Sequence, residues 1–268
     1  MNEPEIVVLP DQAAGAVEAA ARIATSLADA VEVRGRAEWA TTGGSTPGAI
    51  YRRLADRPLV DAVPWVAVNV WWGDDRFVPP DHPLSNVKPF DDVMLGIGGA
   101  EEGTSGAGYA GVPLPAENVH PFRAGAAIGR GAGAASCAAA LADELRAAGL
   151  PEEKGWPIFD VVLLGLGPDG HILSVFPGSP ALEVTDLALA IPAPTHVEPH
   201  VERVTLNPAV VGVARQVIVV VYGADKAAVV ADVLGSERNP SRLPAQLARR
   251  EGAVWILDEA AASGLPGR

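Results

Sequence analysis

The chain has 268 residues, 49% of them hydrophobic and 20% charged, enough for one large α/β domain or two small ones with a real core and too apolar for a disordered or coiled-coil chain. Lys and Arg total 20 against 33 Asp and Glu, a formal charge of −13, which argues against nucleic-acid or anionic-membrane partners because both need a positive footprint. The single cysteine, Cys137, excludes an internal disulfide, and no CxxC or Cys/His cluster offers a structural zinc site.

The N-terminus, MNEPEIVVLPDQ, carries acids where a signal peptide carries bases. No apolar run reaches the roughly 20 residues of a membrane span, so a cytoplasmic protein is expected. Glu5–Leu9 reads as an edge strand, and Asp11 caps an alanine-rich helix that runs to about Val31. Residues 38–42 form the first buried strand, continuous in apolar character rather than alternating. It ends in Gly43 and Gly44, then Ser45 and Thr46, with Pro47 opening a helix. Glycines permit a tight turn and bare N–H groups, hydroxyls add donors, and a helix start adds its positive dipole end, which is how an anion site is built. The loop lacks the lysine of a Walker loop, and an ordinary capped strand-to-helix turn remains open to it.

The next strand, 66–72, runs directly into Asp74, Asp75 and Arg76. Two acids and an arginine at a strand end can orient a hydroxyl, a water and an anionic oxygen, or simply close the loop as an Asp–Arg pair. Pro79, Pro80 and Pro83 stiffen the following loop, and Asn86 ends it with an amide that can face the same cleft or cap a helix. Residues 96–112, GIGGAEEGTSGAGYAGV, have no helical or strand period and read as a mobile surface loop. A helix follows over Ala134–Ala148, stopped by Gly149, with Cys137 inside it as a small buried hydrophobe.

The stretch FDVVLLGLGPDGHILSVFPGSP carries the most chemistry. Strand 159–166 runs into Gly165, Gly167, Pro168, Asp169, Gly170 and His171, followed by a helical turn stopped at Pro177. Asp169, two residues before the histidine, can fix its tautomer while the other ring nitrogen takes a proton from water. His196 and His200 share the spacing of a zinc helix, but Pro194 and Pro199 interrupt any helix, so a loop is expected. His82 and His120 read as surface residues among prolines. Strands 216–222 and 253–257 and a helix over 224–234 complete the chain. With aromatics at only 5%, small aliphatic layers are expected to fill the core.

Strands alternating with helices predict one α/β domain over residues 1–268, with a mostly parallel sheet covered by helices on both faces and ligands bound beyond the carboxyl ends of the strands. No GxSxG elbow supports serine hydrolase chemistry.

Taken in order, GGSTP, WWGDDRFVPPDHPLSN and FDVVLLGLGPDGHILSVFPGSPAL resemble the 6-phosphogluconolactonases, as do ERVTLNPAVVGVARQVIVVVYGADKAAVV and AVWILDEAAA. The resemblance implies a Rossmann-like fold shared with glucosamine-6-phosphate deaminases. It implies hydrolysis of 6-phospho-D-glucono-1,5-lactone without metal or organic cofactor, by a monomer or small homo-oligomer whose partner is the phosphorylated sugar lactone. Carried over by position, His171 is the general base, Asp169 its orienting acid, Arg76 the active-site arginine and Asp74 the acid before it. Gly43, Gly44, Ser45, Thr46, Asn86, Arg203 and Lys226 hold substrate and phosphate. Departures are Asp75 where Glu is usual, Ile172 and Leu173 in place of ThrAla, and Asn207 and Pro208 in place of ThrLeu. The deaminase branch follows its histidine with an FNEP-like stretch, whereas Val175, Phe176 and Pro177 stand here and the equivalent acid is missing. A sugar-phosphate sensor is the other alternative; such proteins carry a helix-turn-helix, and strand signals that begin by Ile6 leave no room for one.

Overall fold

A computed structural model describes residues 3–44, 46–97 and 111–266. Ser45 and most of the glycine-rich 96–112 stretch lie outside the described residues. The strands are β1 (Glu5–Leu9), β2 (Ala37–Thr41), β3 (Val68–Trp72), β4 (Asp74–Arg76), β5 (Val119–His120), β6 (Glu152–Glu153), β7 (Trp156–Pro157), β8 (Val161–Leu164), β9 (Ala188–Ile191), β10 (Arg203–Leu206), β11 (Gln216–Val221) and β12 (Ala253–Asp258). Seven of them form one sheet in the order β1-β12-β11-β8-β2-β3-β5, and every pairing in it is parallel. All of β2 and β8, and all of β11 after its first residue, are buried. Because successive side chains point to opposite faces, that pattern requires cover on both sides of the sheet.

The helices that frame the site are α1 (Gln12–Arg34) and α2 (Pro47–Ala55). As expected, the Asp11 carboxylate accepts from the Ala14 N–H at 2.8 Å, but α1 continues three residues past Val31 because Gly35, at φ +75°, ends it in the left-handed conformation. Its alanine face lies against the sheet, with Ala19, Ala20, Ile23, Leu27 and Ala30 fully buried. Residues 65–67 form a 3-10 turn rather than the start of a strand, and the helix expected from 224 begins as 3-10 over Ala224–Lys226 before α-helical geometry sets in at Ala227. The core is not purely aliphatic. Five of the six tryptophans, at 39, 65, 71, 72 and 255, are fully buried, so the few aromatics are concentrated inside. Among the described residues no helix is long and apolar enough to cross a membrane.

The order of the sheet decides where a ligand binds. From β2 the chain steps outward through β3 to β5, returns to β8 beside β2, and then steps the other way to β11 and β12. The direction reverses between β2 and β8, so the loops leaving their carboxyl ends diverge and open a crevice. A small antiparallel sheet, β4-β10-β9, leaves the end of β3 through Gly73 and forms one wall of that crevice.

Candidate active site

A cavity of about 300 Å³ occupies the crevice. Of the residues singled out from sequence, Gly43, Gly44, Thr46, Asp74, Arg76, Asn86, His171, Arg203 and Lys226 all line it. Asp169 stands behind His171, outside the cavity wall.

Each wall is built by a strand end. After β2, the Tyr51 hydroxyl of α2 donates to the Thr42 carbonyl at 2.6 Å and pairs with Thr41 Oγ1 at 2.8 Å, which pins the start of the glycine loop. Gly43 has no room for a side chain, since a Cβ would lie 2.2 Å from the Asn86 amide, and Gly44 adopts φ +90°. The loop therefore presents backbone to the cavity.

Beyond β3, the two aspartates divide their labour. Asp75 points away from the cavity, accepting from the Asn86 N–H at 2.6 Å, the Arg76 N–H at 2.7 Å and the Ser85 hydroxyl at 3.0 Å. Burial pushes its carboxyl up to about 7, with the Asn86 and Arg76 N–H groups opposing and the charge of Asp74 adding to the rise. Asp74 faces the cavity, accepting from the Ser174 hydroxyl at 2.5 Å and from Asn86 Nδ2 at 3.2 Å. Asn86 is not a helix cap. Its buried amide donates to the Asp74 carbonyl at 2.8 Å and accepts from Arg76 Nη1 at 2.9 Å, tying both ends of the proline-stiffened loop together.

Arg76 makes no ion pair with either acid, so an Asp–Arg pair does not close the loop; its guanidinium donates to the Leu84 carbonyl at 2.8 Å. It sits directly opposite Arg203 in the β4–β10 register. Arg203 is itself only 3% exposed, lies 5.4 Å from the Phe176 ring centroid and donates to the Pro199 carbonyl. Neither arginine has a carboxylate partner among the described residues, and the Nε of each is buried without a hydrogen bond. Burial lowers the Arg203 guanidinium from its ordinary value, Asp74 opposes and Arg76 reinforces. Two like charges face to face on neighbouring strands are unfavourable in themselves, and such a pair suits an anionic ligand. Lys226 joins them from the turn after β11, its ammonium donating to the Leu166 carbonyl at 3.1 Å.

His171 occupies the turn after β8. The turn is not helical: Ile172 and Val175 form an isolated bridge, and Leu173 takes φ +55°. Gly170 adopts φ +85°, and a Cβ on Gly167 would lie 2.0 Å from His171 Nδ1, so the two glycines that precede the histidine are conditions for the ring's position. The Asp169 carboxylate meets His171 Nδ1 at 2.6 Å, which makes Nδ1 the protonated nitrogen and leaves Nε2 as the acceptor. Burial works to raise the Asp169 carboxyl, but the hydrogen bond and charge of His171, with a second bond from His196, hold it well below the usual carboxylate range.

Three side chains contact these residues without a local signal of it in the sequence. Ser174 fixes Asp74, Phe176 packs against both His171 and Arg203, and His196 donates Nε2–H to Asp169 Oδ2 at 2.9 Å. His196 and His200 do lie on a loop, as expected, but they diverge: His200 bonds to the Pro194 carbonyl and pairs with Glu198. His120 is no surface residue; it stacks on Trp71 at 4.0 Å and meets Glu144 at 2.8 Å. Cys137 is buried in its helix. Among the described residues no cluster of three or more His, Cys, Asp or Glu is placed to hold a metal ion.

A family model described as glucosamine-6-phosphate isomerases/6-phosphogluconolactonase matches residues 10–256. The 6-phosphogluconolactonase of Streptomyces coelicolor is 36% identical over 267 residues, covering 99% of this chain and 96% of the relative. That of Synechocystis is 31% identical over 263 residues, covering 98% of each. Among solved structures, the 6-phosphogluconolactonase of Trypanosoma brucei superimposes with a TM-score of 0.80 at 30% identity, covering 99% of this chain and all of the other.

Proposed function

The chain belongs to the glucosamine-6-phosphate isomerase/6-phosphogluconolactonase family, and from that premise we infer that it is an enzyme hydrolysing 6-phospho-D-glucono-1,5-lactone to 6-phospho-D-gluconate. The observation that carries the chemistry is the Asp169–His171 pair beside a cavity wall with two arginines that have no carboxylate partner among the described residues. The lactonase branch is supported over the deaminase branch by Phe176, an aromatic ring 4.6 Å from the imidazole, in the stretch where deaminases carry their histidine-tuning glutamate.

In the proposed reaction, neutral His171 accepts a proton at Nε2 from a water whose oxygen bonds to the lactone carbonyl carbon. Asp169 holds the imidazolium that forms. The resulting oxyanion is met by Arg76 or by backbone N–H groups near Gly44, each good donor worth about 3 kcal/mol. The bond from that carbon to the ring oxygen then breaks, the imidazolium returns its proton to the departing oxygen, and the second proton of the water leaves the new carboxyl group to solvent, so protons and charge balance. Asp74, held by Ser174 and Asn86, orients the attacking water or a sugar hydroxyl in this reading. Arg203, Lys226 and the Gly43–Gly44 backbone, with Ser45 and Thr46, take the 6-phosphate. All of these groups come from one chain, so the reading needs no second copy. A buried free cysteine suits the reducing cytoplasm as the compartment.

The test is hydrolysis of freshly generated lactone, corrected for spontaneous opening. The wild type should accelerate it, and His171→Asn should lower kcat by about 10²–10⁴-fold. No acceleration by the wild type would overturn the function, and wild-type turnover by His171→Asn would overturn the role of the histidine.

A further inference from the structure

The Asp169 carboxylate is held from two sides. Oδ1 takes the Nδ1–H of His171 at 2.6 Å and its backbone N–H at 3.2 Å, while Oδ2 takes Nε2–H of His196 at 2.9 Å from a different segment of the chain. His196 is half exposed and does not line the cavity, yet its ring meets Phe176 edge-on at 5.6 Å, the same phenyl ring that packs against His171. We propose that His196 is a positioning residue: through Asp169 and Phe176 it fixes the orientation and the basicity of His171 without touching the substrate. The proposal rests on the lactonase reading for its kinetic consequence only.

The physical reason is the division of one negative charge between two donors. A carboxylate with a single partner can swing about its Cβ–Cγ bond and spends its full charge on the imidazolium of His171. With His196 in place the plane of the carboxylate is set by two bonds pointing in different directions, and part of its charge is already satisfied. The other charged groups that face this assembly are Arg203 from β10, Arg76 and Asp74 from β4, Lys226 from the turn after β11, and Glu198 with its partner His200 from the loop that carries His196 itself. None of these hydrogen-bonds Asp169, so among the described residues the two histidines decide how its oxygens are used.

His196→Phe removes the donor and keeps a ring against Phe176, and His196→Gln restores a neutral N–H donor that does not titrate. In His196→Phe the kcat for the lactone should fall about fivefold with KM unchanged, and the acid limb of the kcat/KM profile should move up by about half a pH unit, because an undivided Asp169 charge favours the protonated imidazole. His196→Gln should return both to wild-type values. Independently of any activity, the proton resonance of His171 Nδ1–H should shift in the Phe variant and return in the Gln variant. Unchanged kcat, acid limb and resonance in His196→Phe, or a Gln variant that behaves like the Phe variant, would overturn the proposal. A wild type inactive on the lactone would instead overturn the reaction, and the resonance would still decide the role of His196.

Discussion

Arg76 and Arg203 meet across the β4–β10 pairing as like charges, each with a buried Nε that no atom of the described residues satisfies. Desolvating a guanidinium without a carboxylate is costly, and the proposed binding of an anion there accounts for the arrangement. Arg203→Met keeps much of the stem that packs on Phe176 and removes the charge. It should raise KM for the 6-phosphorylated lactone by about 10²-fold while leaving KM for unphosphorylated gluconolactone within about threefold, as expected for loss of a charge-assisted contact to phosphate. Parallel determination of the two constants checks this, and equal effects on both substrates would remove Arg203 from the phosphate site. Asp75, which differs from the usual Glu, works at the same scale but through the backbone. It holds Asn86, and Asn86 holds Arg76.

At the scale of elements, the site consists of the loops and turns that leave the ends of parallel strands. What lets these turns carry function is the absence of side chains at two points. Gly43 leaves space for Asn86, and Gly167 leaves space for the His171 ring. Gly167 does not adopt a positive φ, so alanine there is compatible with the backbone but not with the imidazole where it stands. Gly167→Ala should therefore displace the ring from Asp169 and lower kcat by about 10²-fold, the scale expected for a misplaced catalytic group, with a melting temperature close to that of the wild type. Thermal unfolding measured alongside lactone turnover separates this outcome from misfolding.

Across the whole molecule, the two edges of the sheet treat charge in opposite ways. At the amino-terminal edge Arg34 and Arg215 pair with Asp160 at 2.6 and 3.1 Å, and Arg36 pairs with Glu38 at 3.1 Å. At the carboxyl edge Arg76 and Arg203 have no carboxylate partner among the described residues, inside a protein whose formal charge is −13. In the proposed reaction a phosphorylated substrate is thus repelled at long range and held by local groups at one end of the sheet. Glu38, at the paired edge, is one of the buried carboxyls that tie stability to pH. Burial raises the Glu38 carboxyl from 4.5 to about 7, against the hydrogen bond from Trp71 Nε1 at 2.8 Å and the charge of Arg36. A carboxyl raised in the folded state keeps a proton that the unfolded chain has released, so its contribution is present below pH 4.5 and is lost as pH rises through about 7. Glu38→Gln abolishes this titration, and the decline in unfolding free energy between pH 5 and 8 should shrink by about 1–2 kcal/mol, with Asp75 supplying part of what remains. Denaturant unfolding of both proteins across that range is the check.

The strand-helix alternation, the buried runs at β2, β3, β8, β11 and β12, the Asp11 and Gly149 helix signals and the position of His171 two residues after Asp169 were all legible in the chain itself. These are local properties: apolar runs demand burial, glycines permit turns, and residues close in sequence stay close in space. Three kinds of feature were not legible. The short turn after His171 was expected to be helical, because sequence does not reveal that Ile172 and Val175 bridge instead. Asn86 and His120 depend on which segments fold over them. The Arg76–Arg203 opposition and the His196 bond to Asp169 join residues 127 and 27 positions apart, and neither has a local signal. The sequence alone determined which groups can do acid–base and anion chemistry. Only the tertiary structure decided which of them share one cavity, because the reversal of strand order between β2 and β8 brings their loops to a common crevice.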